Sequence, residues 1–470
     1  MMKQSSRKFA GLAMAAGVLF ASSACAQMPA ANTGAAESAD ASAFASERME
    51  PAKAWEYGAP LLARDITNGG AGGDIIRVTS LASSGPGTLR DALSQSGPRI
   101  IVFEVAGVID LAGDNIAIRD PFVTIAGQTA PSPGVTLVKG GLVISGHDVI
   151  VQHLRIRPGD LGEAPRSGRD IDAITTSSAY NVVVDHCSLS WATDENLSAS
   201  GPRFTGESEA DWREGTSHNI LFSQNIVAEG LAHSTHAKGE HSKGSLIHDN
   251  VSDIVIYANL YTSNYERSPL FKGGVQGAVI NNLIYNPGQR AVQYNLQDLE
   301  WGDVPPVLGR MDLINNALRA GPSTEEGLPL LMIGGTGNLS VHMSGNQAHD
   351  RWGGDLPTLG RYTSNPTEII ETDAPHFSWS GLDVLPTEEV ETYVLAHAGA
   401  RPWDRDVNDV RVLADAAEGR GGIIDSQEEV GGYPDFPQVS QAFDADRWNL
   451  ETMAPKADSA LDAEAGARGT

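Results

Sequence analysis

Seven short apolar runs recur along this chain at intervals of roughly 23 to 38 residues, and five of the seven close on asparagine. They are VIVQHL ending at Leu154, VVVDHC at Cys187, ILFSQN at Asn225, IVIYAN at Asn259, AVINN at Asn282, MDLINN at Asn316 and HMSGN at Asn346. Such spacing is that of stacked repeats carrying loops of unequal length on one face. Strands of this length, parted by Gly and Asn turns and without long amphipathic helices between them, predict an all-β fold, a right-handed parallel β-helix. The right hand is the expected one for a parallel crossover. An antiparallel sandwich competes, but it wants hairpin turns and alternating polarity, which these runs lack. Amides repeated at one turn position can bond along the stack. Taken singly, they are ordinary turn residues that tolerate positive φ.

The flanks read differently. Residues 1–26 carry Lys3, Arg7 and Lys8 ahead of an apolar run and then Ala24-Cys25-Ala26, which is the pattern of a secretory signal peptide and too short for a membrane span. Acylation of Cys25 is the competing reading, but Ser22 stands where such signals usually carry leucine. Residues 27–52, rich in Ala, Ser, Asp and Glu, are expected to be a disordered spacer. The β-helix is expected over 53–350, opening with a strand, helix and strand from Asp74 to Leu111 in which Thr88 is the N-cap and Asp91 follows three residues on. A stack needs such a cap because its open end exposes core and unpaired strand edge. Residues 351–450 form an extension packed on the stack. Its expected helices start at a Thr387 cap, ending near Gly399, and at Val407, running to Ala417. Residues 451–470 read as a loose tail.

Charge limits the partners. With 59 acidic against 33 basic residues the net charge is −26, so neither nucleic acid nor an anionic membrane is held by bulk electrostatics. An acidic substrate then requires a divalent cation or a local basic cleft. The stretch from Ile254 to Gly274 supplies such a cleft, because Arg267, Pro269 and Lys272 form R-x-P-x-x-K and the proline restrains the backbone beside two cations. Fixed cations bind and polarise carboxylates. After signal removal Cys187 is the one remaining cysteine, which leaves no intramolecular disulfide.

These motifs together resemble the pectate lyases of the parallel β-helix polysaccharide lyase superfamily. The resemblance runs from about Gly69 to Gly288 through SGPGTLRDAL, RIIVFEVAGVIDL, DAITTSSAYNVVVDHCSLS, HSKGSL, the R-x-P-x-x-K stretch and NNLIYN. It implies calcium-dependent cleavage of a polyuronate by β-elimination, with Arg267 as the proton-abstracting base and Lys243 as a second catalytic cation. Asp185 and Asp194 match calcium acids. Ser198 stands where a further acid is expected, and Asp172 or Glu195 is the candidate to supply the missing oxygen, calcium taking six to eight hard oxygen ligands. Lys272, Arg290 and His241 are the expected substrate-binding residues. Lys272 replaces an arginine of the family pattern, so a fork becomes a point charge. The substrate implied is an acidic polysaccharide, and the chain is expected to act as a monomer, secreted or periplasmic.

The chemistry is demanding. The hydrogen at C5 of a uronate lies beside a carboxylate whose charge opposes carbanion formation, so neutralising that charge stabilises the transition state. An arginine base is costly, since deprotonating a group of reference pKa above about 12 near pH 8.5 costs on the order of 5 kcal/mol. Three rivals stay open. His233, His236 and His241 suggest a transition-metal cluster, although their spacing fits no strong zinc pattern. A polyuronate hydrolase on the same fold would use paired carboxylates, but the adjacent Asp pair and Gly-His-Gly turn of the polygalacturonases are absent. A non-catalytic polysaccharide-binding β-helix would not need Arg267 and Lys243 in these contexts.

Overall fold

The computed structural model describes residues 65–365, 367–378 and 381–456. The expected signal peptide and spacer lie outside them. Among the described residues, three sheets of eleven, ten and nine strands run alongside one another, and nearly every strand pairs in parallel with the one three places on in the chain. Each coil therefore visits the first, second and third sheet in turn. One such coil is Tyr180–Asp185, Ser188–Ser190 and Leu197–Ser200. This is the right-handed parallel β-helix.

All seven repeat runs fall on consecutive strands of the first sheet, and their missing alternation has a packing cause. In Ser252–Tyr257, Ile254 and Ile256 point into the bore with Ile220, Phe222 and Val279, while Val255 and Tyr257 point outward against Val390, Val394 and Val412. Both faces are dry. Parallel sheets covered on both sides read as continuous apolar runs for this reason, and each aliphatic side chain so buried contributes roughly 1.5–3 kcal/mol.

The asparagines form a continuous ladder at the corner between the first and second sheets. Nδ2 of Asn225 donates to Oδ1 of Asn259 at 2.9 Å, Asn259 to Asn282 at 2.9 Å, Asn282 to Asn316 at 3.1 Å and Asn316 to Asn346 at 2.9 Å. Each acceptor oxygen also takes a backbone N–H of the preceding coil, as Asn259 does from Asn225 at 2.8 Å. The left-handed φ of this corner belongs to the residue before each rung: Gln224, Ala258, Asn281, Asn315 and Gly345. The rungs, buried at Asn225, Asn259, Asn282 and Asn316, are thus hydrogen-bonding residues and not positive-φ turn residues.

Thr88 caps the helix Leu89–Leu93, its hydroxyl accepting from the Asp91 N–H at 3.2 Å. The flanking strands Asp74–Val78 and Arg99–Phe103 are themselves paired members of the first sheet. Stacking also continues past Asp350, where the sequence pattern fades, through Leu359–Arg361 and Ile369–Glu371. Those late strands are three residues long and partly exposed, too short for periodicity to show.

The C-terminal segment covers the outer face. Its helices are Thr387–His397 and Val407–Glu418. The first is entered through Pro386, and Thr387 spends its hydroxyl on the Gly345 carbonyl, so the expected threonine cap is not formed. Asp406 caps the second and meets Arg157 at 2.6 Å, while Asp409 meets Arg155 at 3.1 Å, with all four side chains at most 1% exposed. Further on, Trp448 and Met453 pack on Ile100, Val102 and Ala126. The part of the expected tail that is described, to Lys456, is therefore docked on the first coils.

Candidate active site

The corner between the second and third sheets carries the charged residues. Asp172 precedes the strand Ile174–Ser177, and Asp194 and Glu195 precede Leu197–Ser200. His236, His241 and Lys243 precede Leu246–Ile247, Glu266 and Arg267 precede Leu270–Lys272, and Arg290 precedes Val292–Leu296. Five successive coils thus present their side chains in one column, neighbouring strands being about 4.8 Å apart. Isolated parallel bridges set the register directly, Glu195 opposite Lys243 and Lys243 opposite Glu266.

Asp172, Asp194 and Glu195 bring a carboxylate oxygen each within 4.8 Å of one another. The Glu195 N–H donates to Asp172 at 3.0 Å, which ties the two coils together. Burial, then the charges of Glu195 and Asp194, push the Asp172 carboxyl well above its usual range. Burial likewise raises Glu195, with Arg267 opposing. Arg267 is ion-paired to Glu195, and its backbone, at φ 65°, donates to the Gln293 side chain at 2.8 Å. Burial works to lower the Arg267 pKa, but Glu195, Glu266 and Asp194 override it and hold the guanidinium charged.

Glu266 links the remaining cations. Its carboxylate receives Lys243 Nζ at 2.5 Å on one oxygen and Arg290 on the other. Burial opposes its ionisation, and the cations, Lys243 first, outweigh it and keep the carboxyl below its usual range. Sequence reading passed over Glu266, although it stands directly before Arg267; nothing in a single glutamate signals that two cations, one from the coil on either side, converge on it. His241 Nε2 lies 2.6 Å from Asp194, and its ring stacks on His236 with centroids 3.7 Å apart. Burial pushes His241 down to about 3, so it is neutral near pH 7. His233 stands apart, exposed and 3.0 Å from Asp425.

Two expected site residues are elsewhere. Asp185 ends its strand at the opposite corner, fully buried, where it accepts from Ser223 at 2.6 Å and from Gln152 at 3.3 Å and lies 2.8 Å from His186. The structure does not bring it to the carboxylate group; it closes a polar network under the extension. Lys272 sits two residues down the third sheet, buried, paired with Glu300 and 3.4 Å from Asp249. Arg203 meets the same two acids at 2.5 and 3.0 Å, so Lys272 belongs to a second cluster. Ser198 accepts the Leu246 N–H at 3.3 Å.

The donor chemistry at the corner fits calcium. Three hard carboxylates converge, and with one guanidinium paired among them the ionised group is left two charges short of neutral. Asp172, Asp194 and Glu195 would hold the ion. A second possible ligand group, Asp194 with His236 and His241, shares one of these residues.

A parallel β-helix with a column of cations and clustered carboxylates at one corner fits the class of polysaccharide lyases. No family profile matches the chain. It is 30% identical over 389 residues to Probable pectate lyase C of Aspergillus flavus, covering 80% of this chain and 81% of that protein. To the protein of the same name in Aspergillus terreus it is 32% identical over 384 residues, covering 80% and 81%. Among solved structures it is similar to Jun a 1, the major allergen from cedar pollen, with a TM-score of 0.50 and 19% identity over 73% of this chain and 92% of the other, a likeness of fold. The chain belongs to the pectate lyase family, and it is a lyase.

Proposed function

We propose that this chain cleaves pectate or a closely related polyuronate by calcium-assisted β-elimination, with Arg267 as base. The observation that carries the reading is the column itself, in which Arg267 pairs with the carboxylate group while Lys243, Glu266 and Arg290 form a triad beside it. In the reaction the guanidine removes the proton at C5, the C4–O bond breaks as a C4–C5 double bond forms, and the leaving oxygen takes up a proton. Lys243 and Arg290 orient the uronate carboxylate and offset the charge that develops on it. Calcium, when bound, neutralises that carboxylate and makes the C5 hydrogen more acidic. The same reading has the chain exported through residues 1–26 and acting as a monomer. No helix among the described residues is long and apolar enough to cross a membrane.

The test is product chemistry on polygalacturonate, with and without chelator. Elimination yields unsaturated ends that absorb in the ultraviolet, and the signal should vanish on chelation and return with calcium. Reducing ends without absorbance would make the chain a hydrolase, and neither signal would make it a binding module. Return of activity with zinc but not calcium would move the metal to Asp194, His236 and His241.

A further inference from the structure

Glu195 belongs to two assemblies at once. It is one of the three carboxylates that converge on the cation position, and it is the ion-pair partner of Arg267. To reach it, Arg267 extends back past the Lys243 coil, because the bridged order is Glu195, Lys243, Glu266. Lys243 lies between the two but turns away to Glu266 at 2.5 Å. Glu195 is 5% exposed and Arg267 21%, so the pair is screened little by water. A guanidinium so held donates its hydrogens to a carboxylate and cannot accept a substrate proton.

Resting on the calcium-assisted reading, we propose that Glu195 is a positioning residue that acts as a latch: with the carboxylate group unfilled it holds Arg267, and a divalent cation takes Glu195 over and releases the guanidinium toward substrate. Freed of that carboxylate, the guanidinium gives a proton to solvent more readily, so the neutral base forms only when the cation that activates the substrate is in place. Nothing else among the described residues holds the Arg267 head group this way; Asp194 and Glu266 act on it through charge, and the Gln293 contact is to its backbone.

The latch makes a prediction about binding that does not depend on turnover. Calcium must displace Arg267 from Glu195, so shortening or neutralising the arginine should tighten calcium binding. Calorimetric titration of the full chain should show Arg267→Gln and Arg267→Lys both binding calcium about tenfold tighter than wild type, a modest share of the coupling measured for close charge pairs. The lysine variant is decisive, because it keeps the charge and loses the reach across two coils. In a Glu195→Gln background calcium should bind more weakly, and adding either arginine change should move affinity less than twofold.

Arg267→Lys binding calcium as wild type does, or Arg267→Gln tightening binding equally in both backgrounds, would reduce the effect to charge repulsion and overturn the latch. Absence of calcium binding in every variant would overturn it as well. Product absorbance on polygalacturonate reads the lyase assignment separately, so that assignment stands or falls without the latch. Far-ultraviolet circular dichroism of each variant, matched to wild type, confirms that the comparison is between folded proteins.

Discussion

Two corners of the same coils have been put to opposite uses. Between the first and second sheets, five successive coils each set a neutral amide that donates to the amide of the next coil, ending at Asn346. Between the second and third, each coil places a charge, and burial works against the ionisation of Asp172, Glu195 and Glu266. The first corner is a two-residue turn in each ladder coil, whereas the second is a loop whose length changes from coil to coil. A satisfied ladder stabilises the stack, whereas a column of partly compensated charges stores an unfavourable interaction that a cation and an acidic substrate can relieve. Fold and function therefore separate by corner and not by domain.

The sharpest way to break this contrast is to change one residue on each side. Arg267→Lys should lower kcat by roughly a hundred- to ten-thousand-fold with KM little changed, measured from product absorbance. A rate within a few-fold of wild type would remove Arg267 as base. On the other side, Asn259→Ala takes the side-chain acceptor from the Asn225 N–H and removes one bond each from the Asn225 amide, the Asn282 oxygen and the Phe222 carbonyl. The expected cost is roughly 3–5 kcal/mol in urea unfolding, with kcat of the folded fraction unchanged.

Asp185 tests which corner an acid belongs to. Asp185→Ala should lose about 2–3 kcal/mol of stability, because Ser223, Gln152 and His186 lose their shared partner. Its calcium midpoint should match wild type; a weakened midpoint would return Asp185 to the metal site.

Asp172 makes the opposite prediction, and its sign follows from its raised pKa. The folded state holds this proton more tightly than the unfolded chain does. Without calcium, the contribution of Asp172 is therefore lost as pH rises from the ordinary aspartate value, about 3.9, through the folded pKa. Asp172→Asn should raise calcium-free stability at pH 7 by about 1 kcal/mol and abolish calcium-induced stabilisation, both read from thermal melts. At pH 4 the stability gain should shrink toward zero.

The smallest effect is expected at Lys272. Lys272→Arg adds a fork to a buried position already paired with Glu300 and Asp249, so kcat and KM should each stay within about twofold, with at most about 1–2 kcal/mol of stability lost to crowding. A large fall in KM would show that substrate displaces Glu300.

What the sequence by itself determined is what repeats once per coil. Asn225, Asn259, Asn282, Asn316 and Asn346 close their runs at one place in the turn, so the stack, its parallel pairing and the ladder were legible without coordinates. Arg267, Lys243 and Asp194 were singled out by their likeness to the motifs of the pectate lyases, and the structure brings all three to one column. The corner on which an isolated acid falls was decided only by the tertiary structure. Nine positions carry the chain from Asp185 at one corner to Asp194 at another, while Asp172 and Glu195, 23 positions apart, are in hydrogen-bond contact. A coil turns three corners and its loops differ in length, so separation along the chain does not report which corner has been reached. The same holds for Glu266, whose two cations come from neighbouring coils, and for the outer face of the first sheet, which is dry only because helices more than a hundred residues later fold back to cover it.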